Sequence, residues 1–179
     1  NSFNIEELSQ FYGKTPEQTK FDLLEAVQEG WILSRGDNCR FLHDRLQQAA
    51  YDSMPEEDKL AAHFELGYKL LAKMAGDPHL LFDVVAHLNK CHKTICKESE
   101  KTQQIVQLNI DAARKAIESS ASEPALVYSN AANALVDSIG NECPYELAFT
   151  AKFTLVESMI LSKQFDQSLD LSAELAKLT

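Results

Sequence analysis

The sequence lacks the features that mark several common classes of protein. It has no run of about 18 apolar residues, so it predicts no membrane-spanning helix. It shows no basic-then-apolar leader, so no secretory signal is visible. It has only four cysteines in 179 residues, too few for a disulfide scaffold. We therefore expect a reducing, cytoplasmic compartment.

Basic residues are also scarce, with 17 Lys and Arg against 27 Asp and Glu and a net charge of -10. Nucleic acid is not an expected partner, because binding to phosphates depends on clustered basic side chains. The chain also lacks G-x-x-x-x-G-K-S/T, the loop that cradles nucleotide phosphates. It is therefore not expected to be an enzyme by itself, and we predict no catalytic residue, metal site or cofactor in it.

The apolar content of 45% is enough for a packed core. The chain begins without Met and its last helical pattern stops midway, which predicts a fragment of a longer protein.

Proline and glycine positions indicate where helices begin and end. Thr15-Pro16-Glu17-Gln18 predicts a capping box, and Asp77-Pro78 predicts a cap without the box. Helices are expected to begin near the prolines at 16, 55, 78, 124 and 144, and glycines 30, 76 and 140 stand where three of them should stop. Beyond residue 53 we expect helices near 55–75, 78–96, 99–119, 123–139, 144–162 and 165–178. Their linkers are short, so neighbouring helices should pack antiparallel, in a tetratricopeptide-like array.

The pattern of the first 52 residues predicts a winged-helix domain. IEELSQFYG and FDLLEAVQEG have helical spacing, and WILSRGDNCRFL predicts one short β-hairpin, with Trp31 and Phe41 in the core. This segment has five Lys and Arg against nine Asp and Glu, which disfavours DNA recognition. The predicted fold class is therefore mainly α, with a winged helix over 1–52 and an antiparallel helical array over 53–179.

The stretch FLHDRLQQAAY, residues 41–51, predicts a junction between the hairpin and the next helix. Asp44 is expected to be the N-cap, with Gln47 completing a capping box. His43 would then lie beside the positive end of a helix, which is a favourable place for an anion. Capping alone would also explain the His-Asp pair.

Four stretches resemble the segment that follows the ATPase core in STAND-type signalling NTPases fused to serine/threonine kinase and sensor histidine kinase modules. The F-x-H-D-x-V-Q-x-A-A-Y pattern of that family is matched over 41–51, with Leu46 in place of the usual valine. Pro55-Glu56-Glu57 and DVVAHLN (83–89) then follow in the family's order, and LNIDAARKAIESSA (108–121) matches a later run. The resemblance covers nearly the whole chain, although the phosphate-binding loop is absent.

The resemblance implies a regulatory function. In that family the winged-helix histidine contacts the β-phosphate of bound ADP, so His43 would sense the nucleotide's phosphate, with Asp44 as the supporting helix cap. ADP or ATP would be bound by the full-length parent. The partners would be other domains of the same chain or other proteins, which the helical array would couple to nucleotide state, with the linker near 52–55 as the joint.

Two alternatives concern AHLNKCHKTICK, residues 86–97. His87 and Lys90 share a helix face, as in a histidine phosphotransfer helix, but Cys91 stands where a small residue usually leaves room. The second alternative is a zinc site. The pairs His87–Cys91 and His92–Cys96 could each bind one edge of a Zn²⁺ ion, but they point in different directions from one helix and cannot complete a single tetrahedral site. A histidine packed at a helix contact is expected instead. A plain interaction scaffold without a nucleotide link is the remaining alternative.

Overall fold

The computed structural model describes residues 2–91 and 99–176 of the chain. These residues form mainly α-helices with one small antiparallel sheet, which confirms the predicted mainly α fold with a short hairpin. By internal contacts the chain divides into two compact units, Asn1–Lys59 (unit 1) and Leu60–Thr179 (unit 2). The predicted domain boundary after residue 52 lies a few residues before this division.

Unit 1 combines a sheet with short helices. Its elements are β1 (Ser2–Asn4), α1 (Ile5–Tyr12), α2 (Pro16–Asp22), α3 (Leu24–Gln28), β2 (Ile32–Arg35), β3 (Asn38–Phe41), α4 (Asp44–Ser53) and the start of α5 (Glu56–Met74). The strand order is β1-β3-β2, and both pairs are antiparallel. This order of elements and strands agrees with a winged-helix topology.

Strand β1 was not predicted, because only one hairpin was expected. Its three residues are too few to show an alternating pattern, and its partner β3 is remote in sequence. Phe3 lies opposite Cys39, and the Ile5 amide, just beyond the strand, donates to the Asp37 carbonyl over 2.8 Å. The β2–β3 turn contains Gly36 with φ of +65°, a conformation that glycine adopts at little cost.

The predicted capping box at the start of α2 is confirmed. The Gln18 amide donates to the Thr15 hydroxyl over 3.2 Å, and the Thr15 amide donates to the Gln18 side chain over 3.1 Å. The single helix expected from 16 to 30 is instead two, because the chain breaks at Leu23 between α2 and α3. Leu23 itself packs on the core of unit 1.

Unit 2 is built from longer helices. After α5 come a 3-10 turn (Pro78–Leu80), α6 (Leu81–Lys90), α7 (Ser99–Glu118), α8 (Ser122–Ile139), a second 3-10 turn (Gly140–Glu142), α9 (Tyr145–Leu161) and α10 (Phe165–Leu175). The Asp77 cap is confirmed, since its carboxylate accepts from the His79 amide over 3.0 Å. The ends of the predicted helices at 78–96 and 165–178 lie partly outside the described residues.

Helices α7 and α8 run antiparallel, and so do α8 and α9. The Gln103 side chain, near the start of α7, donates to the Glu142 carbonyl, just beyond the end of α8, over 3.1 Å. Ser162 at the end of α9 donates to the Ser122 carbonyl at the start of α8 over 3.2 Å. Helix α7 packs against α6, α8 and α9, and the core is centred on it. The tetratricopeptide-like character of this array stays a prediction.

None of the helices in the described part of the chain is both long enough and apolar enough to cross a membrane.

Candidate functional site

His43 is the N-cap residue of α4, so the prediction that Asp44 caps this helix is wrong by one residue. The His43 backbone is extended (φ -137°, ψ 144°), and its carbonyl accepts from the amides of Leu46 and Gln47 over 3.0 and 3.4 Å. Asp44 is the first helical residue, and the N-cap side chain makes no capping bond. The helix therefore begins one residue earlier than predicted, because His43, not Asp44, is the residue with extended backbone that precedes it.

The backbone before His43 is fixed to the sheet. The Leu42 amide donates to the Trp31 carbonyl over 2.9 Å, one residue beyond the β2–β3 ladder. Phe41 packs on the buried core of unit 1, tilted against Phe3 with ring centroids 6.0 Å apart. His43 therefore projects from a well-anchored segment.

Around this N-terminus the side chains of His43, Asp44 and Arg45 are all exposed. An imidazole and a guanidinium at the positive end of a helix suit an anion, whereas the Asp44 carboxylate opposes one. Arg45 was not among the predicted site residues. The signal that could have found it is the basic residue directly after the His-Asp pair.

Trp31 lies mostly outside the core, contrary to prediction. Its side chain is 51% exposed, whereas Phe41 packs on the core as expected. The hydrophobicity of a residue does not reveal which side of the chain faces inward at the point where a helix ends and a strand begins.

Unit 1 also has an open groove of about 460 Å³ next to its sheet. The groove is lined mostly by apolar side chains, and Lys14 and Asp22 form an ion pair of 2.6 Å among its lining residues. The Thr19 hydroxyl, which is buried beneath it, has no hydrogen-bond partner within the described residues. A buried hydroxyl without a partner is costly, and nothing in the sequence pattern indicated it.

In unit 2 the most unusual polar contact joins two histidines. His63 of α5 and His87 of α6 bring their Nδ1 atoms to 2.7 Å, with ring centroids 5.0 Å apart. His63 is buried and His87 is half-buried. Burial lowers the pKa of His87 below its usual value, the positive charge of Lys90 lowers it further, and Asp83 acts in the opposite direction. We call these two residues the histidine pair.

The asparagines of the two later family-like motifs pair with each other. The Asn89 and Asn109 side chains donate to each other's amide oxygen, both over 2.8 Å, and Asn109 also donates to the Ile105 carbonyl over 2.9 Å. Asn109 is completely buried, so this reciprocal pair satisfies an amide inside the core. Packing thus accounts for the asparagine of each motif without any ligand.

The alternatives at residues 86–97 receive no support from the geometry. One ring nitrogen of His87 faces His63, and Cys91, where a phosphotransfer helix needs room, is completely buried. Burial raises the pKa of the Cys91 thiol to about 11, which disfavours the thiolate that binds metal. The described residues contain no group of three or more possible metal ligands. His92 and Cys96 lie outside the described residues.

Unit 2 exposes apolar side chains near its C-terminal end. On α9 the rings of Tyr145, Phe149 and Phe153 follow one another at 6.1 and 6.4 Å, and Tyr145 and Phe153 are 56% and 46% exposed. On α10 the exposed fractions of Phe165 and Leu169 are 56% and 67%. We call Tyr145, Phe153, Phe165 and Leu169 the apolar row.

Comparison with known proteins adds no relative: no protein-family model matches the chain, and neither a curated protein nor a solved structure is detectably similar to it.

Proposed function

We propose that the chain is a non-catalytic regulatory segment of a STAND-type signalling ATPase. In this proposal unit 1 senses nucleotide state through His43, and unit 2 couples that state to other domains or to a protein partner. The nucleotide, ADP or ATP, is bound by a phosphate-binding loop elsewhere in the parent protein. This is the function that the family-like motifs imply.

The observation that carries the proposal is the position of the His43 imidazole. It is exposed at the positive end of a ten-residue helix, and it is not used for capping that helix. A neutral or protonated imidazole there can donate a hydrogen bond to a phosphate oxygen, and the neighbouring Arg45 adds a second donor. The sheet anchors the preceding backbone, so a phosphate contact would be transmitted to unit 1 as a whole.

The coupling role is supported by the apolar row of unit 2. Exposed aromatic and aliphatic side chains on two neighbouring helices are typical of surfaces that contact protein. The excess of acidic residues in the chain also favours protein over nucleic acid as the partner.

The test is nucleotide retention by a longer protein that includes the phosphate-binding loop. His43→Ala is compared with His79→Ala, which removes another exposed histidine, near the start of α6, as the matched control. Mass spectrometry of nucleotide released after gel filtration measures the bound ADP. We expect His43→Ala to weaken ADP binding by about 10- to 100-fold, the loss of one charge-assisted hydrogen bond. Equal ADP retention by both variants would contradict the sensing role.

A plain interaction scaffold without a nucleotide link is the second candidate, and the apolar row favours it equally. The same experiment separates the two, because without a nucleotide link through His43 the retained ADP would be equal in the wild type and in both variants. The scaffold would still lose partner binding when Phe165 and Leu169 are replaced by serine.

A further inference from the structure

The histidine pair joins two helices through a contact with room for only one hydrogen between its two Nδ1 atoms. Its Nδ1 atoms are 2.7 Å apart, so one of them donates its hydrogen and the other accepts. A proton added at Nε2 of the donor ring leaves this bond in place. A proton added to the acceptor ring leaves hydrogen on its Nδ1, because both nitrogens of a cationic imidazole carry one, and it then places two N–H groups face to face. Double protonation therefore turns an attraction into a repulsion between cations.

The charged groups near the pair do not remove this conflict. On α6, Lys90 opposes protonation of His87, whereas Asp83 favours it more weakly. On α5, Lys59 precedes His63 by about one turn. Its ammonium lies 3.8 Å from the Glu56 carboxylate and over the ring of Tyr51. From α7, the Lys101 ammonium lies over the rings of Phe64 and Tyr68, next to the pair on α5. Among these described residues, three ammonium groups stand against two carboxylates.

Helix α5 is held on α6 in the same place by close packing. A Cβ added at Gly67 would lie 2.5 Å from Cδ2 of Leu88, so the two helices approach closely one turn beyond His63. Leu88 is completely buried, and Phe64 and Leu71 of α5 pack against the same core. Movement of α5 away from His87 would therefore also open this contact.

We propose that the histidine pair is a pH-sensitive switch that docks α5 on α6 near neutral pH and loosens it in mildly acidic solution. When neither ring or only one ring of the pair is a cation, the Nδ1 contact and the Gly67–Leu88 packing hold α5 in place. When both rings become cations, α5 separates from α6. The proposal is independent of nucleotide sensing, since it concerns other residues and another unit.

The direction with pH follows from linkage. The docked state disfavours the doubly protonated pair, so the undocked state binds more protons below about pH 6.5, the ordinary histidine pKa. Docking is unaffected well above this pH and weakens as the pH falls through it. One proton coupled in this way makes docking about tenfold less favourable at pH 5.5 than at pH 7.5.

Hydrogen exchange of the 179-residue chain, followed by mass spectrometry between pH 7.5 and 5.5, tests the switch. Rates are corrected for the intrinsic effect of pH on amide exchange. In the wild type we expect protection of residues 60–74 to fall about tenfold, whereas protection of α7 stays unchanged. His87→Gln, which cannot become a cation, should remove this pH dependence. The matched control His79→Gln should keep it.

Equal pH dependence in the wild type and in His87→Gln, or none in the wild type, would overturn the proposal. If the glutamine variant does not fold, histidine side-chain NMR of the wild type decides. We expect the rings of His63 and His87 to become cations together only as α5 loses protection. Two cationic rings at pH 5.5 with α5 still protected would contradict the switch.

Discussion

Unit 1 and unit 2 bury their apolar side chains to different extents. In unit 1 the cluster of fully buried apolar residues consists of Ile5, Ile32 and Cys39. In unit 2 the corresponding cluster has 14 members, from Leu81 to Ala151. Unit 1 also leaves large side chains in water, with Phe21 76% and Tyr12 59% exposed.

The difference follows from size and from the shape of the elements. A unit of fewer than about 60 residues buries a smaller fraction of its surface, and its stability is correspondingly marginal. Unit 2 instead wraps long helices around α7, which contributes nine of the buried residues. We infer that unit 2 is the stable scaffold and that unit 1 is the more easily unfolded unit, with its surface available for contacts.

The largest expected effect comes from the core of unit 2. Leu88→Ala removes a completely buried side chain and should lower the free energy of unfolding by about 3–5 kcal/mol. Urea unfolding followed by circular dichroism measures the change. The matched control is Leu169→Ala on α10, where the side chain is 67% exposed and the loss should stay below about 0.5 kcal/mol. Similar losses for the two variants would remove the contrast between core and surface.

A smaller effect is expected from the buried asparagine pair. Asn109→Ala breaks the reciprocal bonds with Asn89 and should cost about 2 kcal/mol, because it leaves a partly buried amide without its partner. Adding Asn89→Ala should cost little more, since the two side chains act as one unit. Urea unfolding of both single variants and the double variant measures the coupling. Fully additive losses would mean that the pair contributes nothing as a pair.

The smallest effect is expected in unit 1. Thr15→Ala removes the capping box of α2 and should cost about 1 kcal/mol, whereas Thr15→Ser keeps the hydroxyl and should cost less. Trp31 is the only tryptophan of the chain and lies in unit 1, so its fluorescence follows this unit alone. Thr15→Ala should therefore lower the urea midpoint measured by fluorescence more than the midpoint measured by circular dichroism. Equal decreases in the two midpoints would mean that the units unfold together.

Local signals in the sequence predicted the local structure well. Prolines and caps mark helix starts through bonds between near neighbours, which explains why the box at Thr15 and the cap at Asp77 are correct. The break at Leu23 was missed because apolar spacing continues through it. Strand β1 was missed because its pairing with β3 is a contact between distant residues.

The candidate site was predictable only in part. The junction containing His43 follows from the sequence, but the start of α4 one residue earlier than predicted depends on how the hairpin ends. The exposure of Trp31 depends on the packing around it. The histidine pair joins residues 24 positions apart on two helices, and no periodicity connects His63 with His87.

The central claim, that unit 2 is the stable scaffold and unit 1 the weaker unit, is tested most directly by two probes in one urea titration. Trp31 fluorescence follows unit 1, and circular dichroism of the long helices follows mainly unit 2. The account predicts that the fluorescence transition comes first, at a clearly lower urea concentration. Coincident transitions, or loss of helical signal before the fluorescence changes, would contradict it.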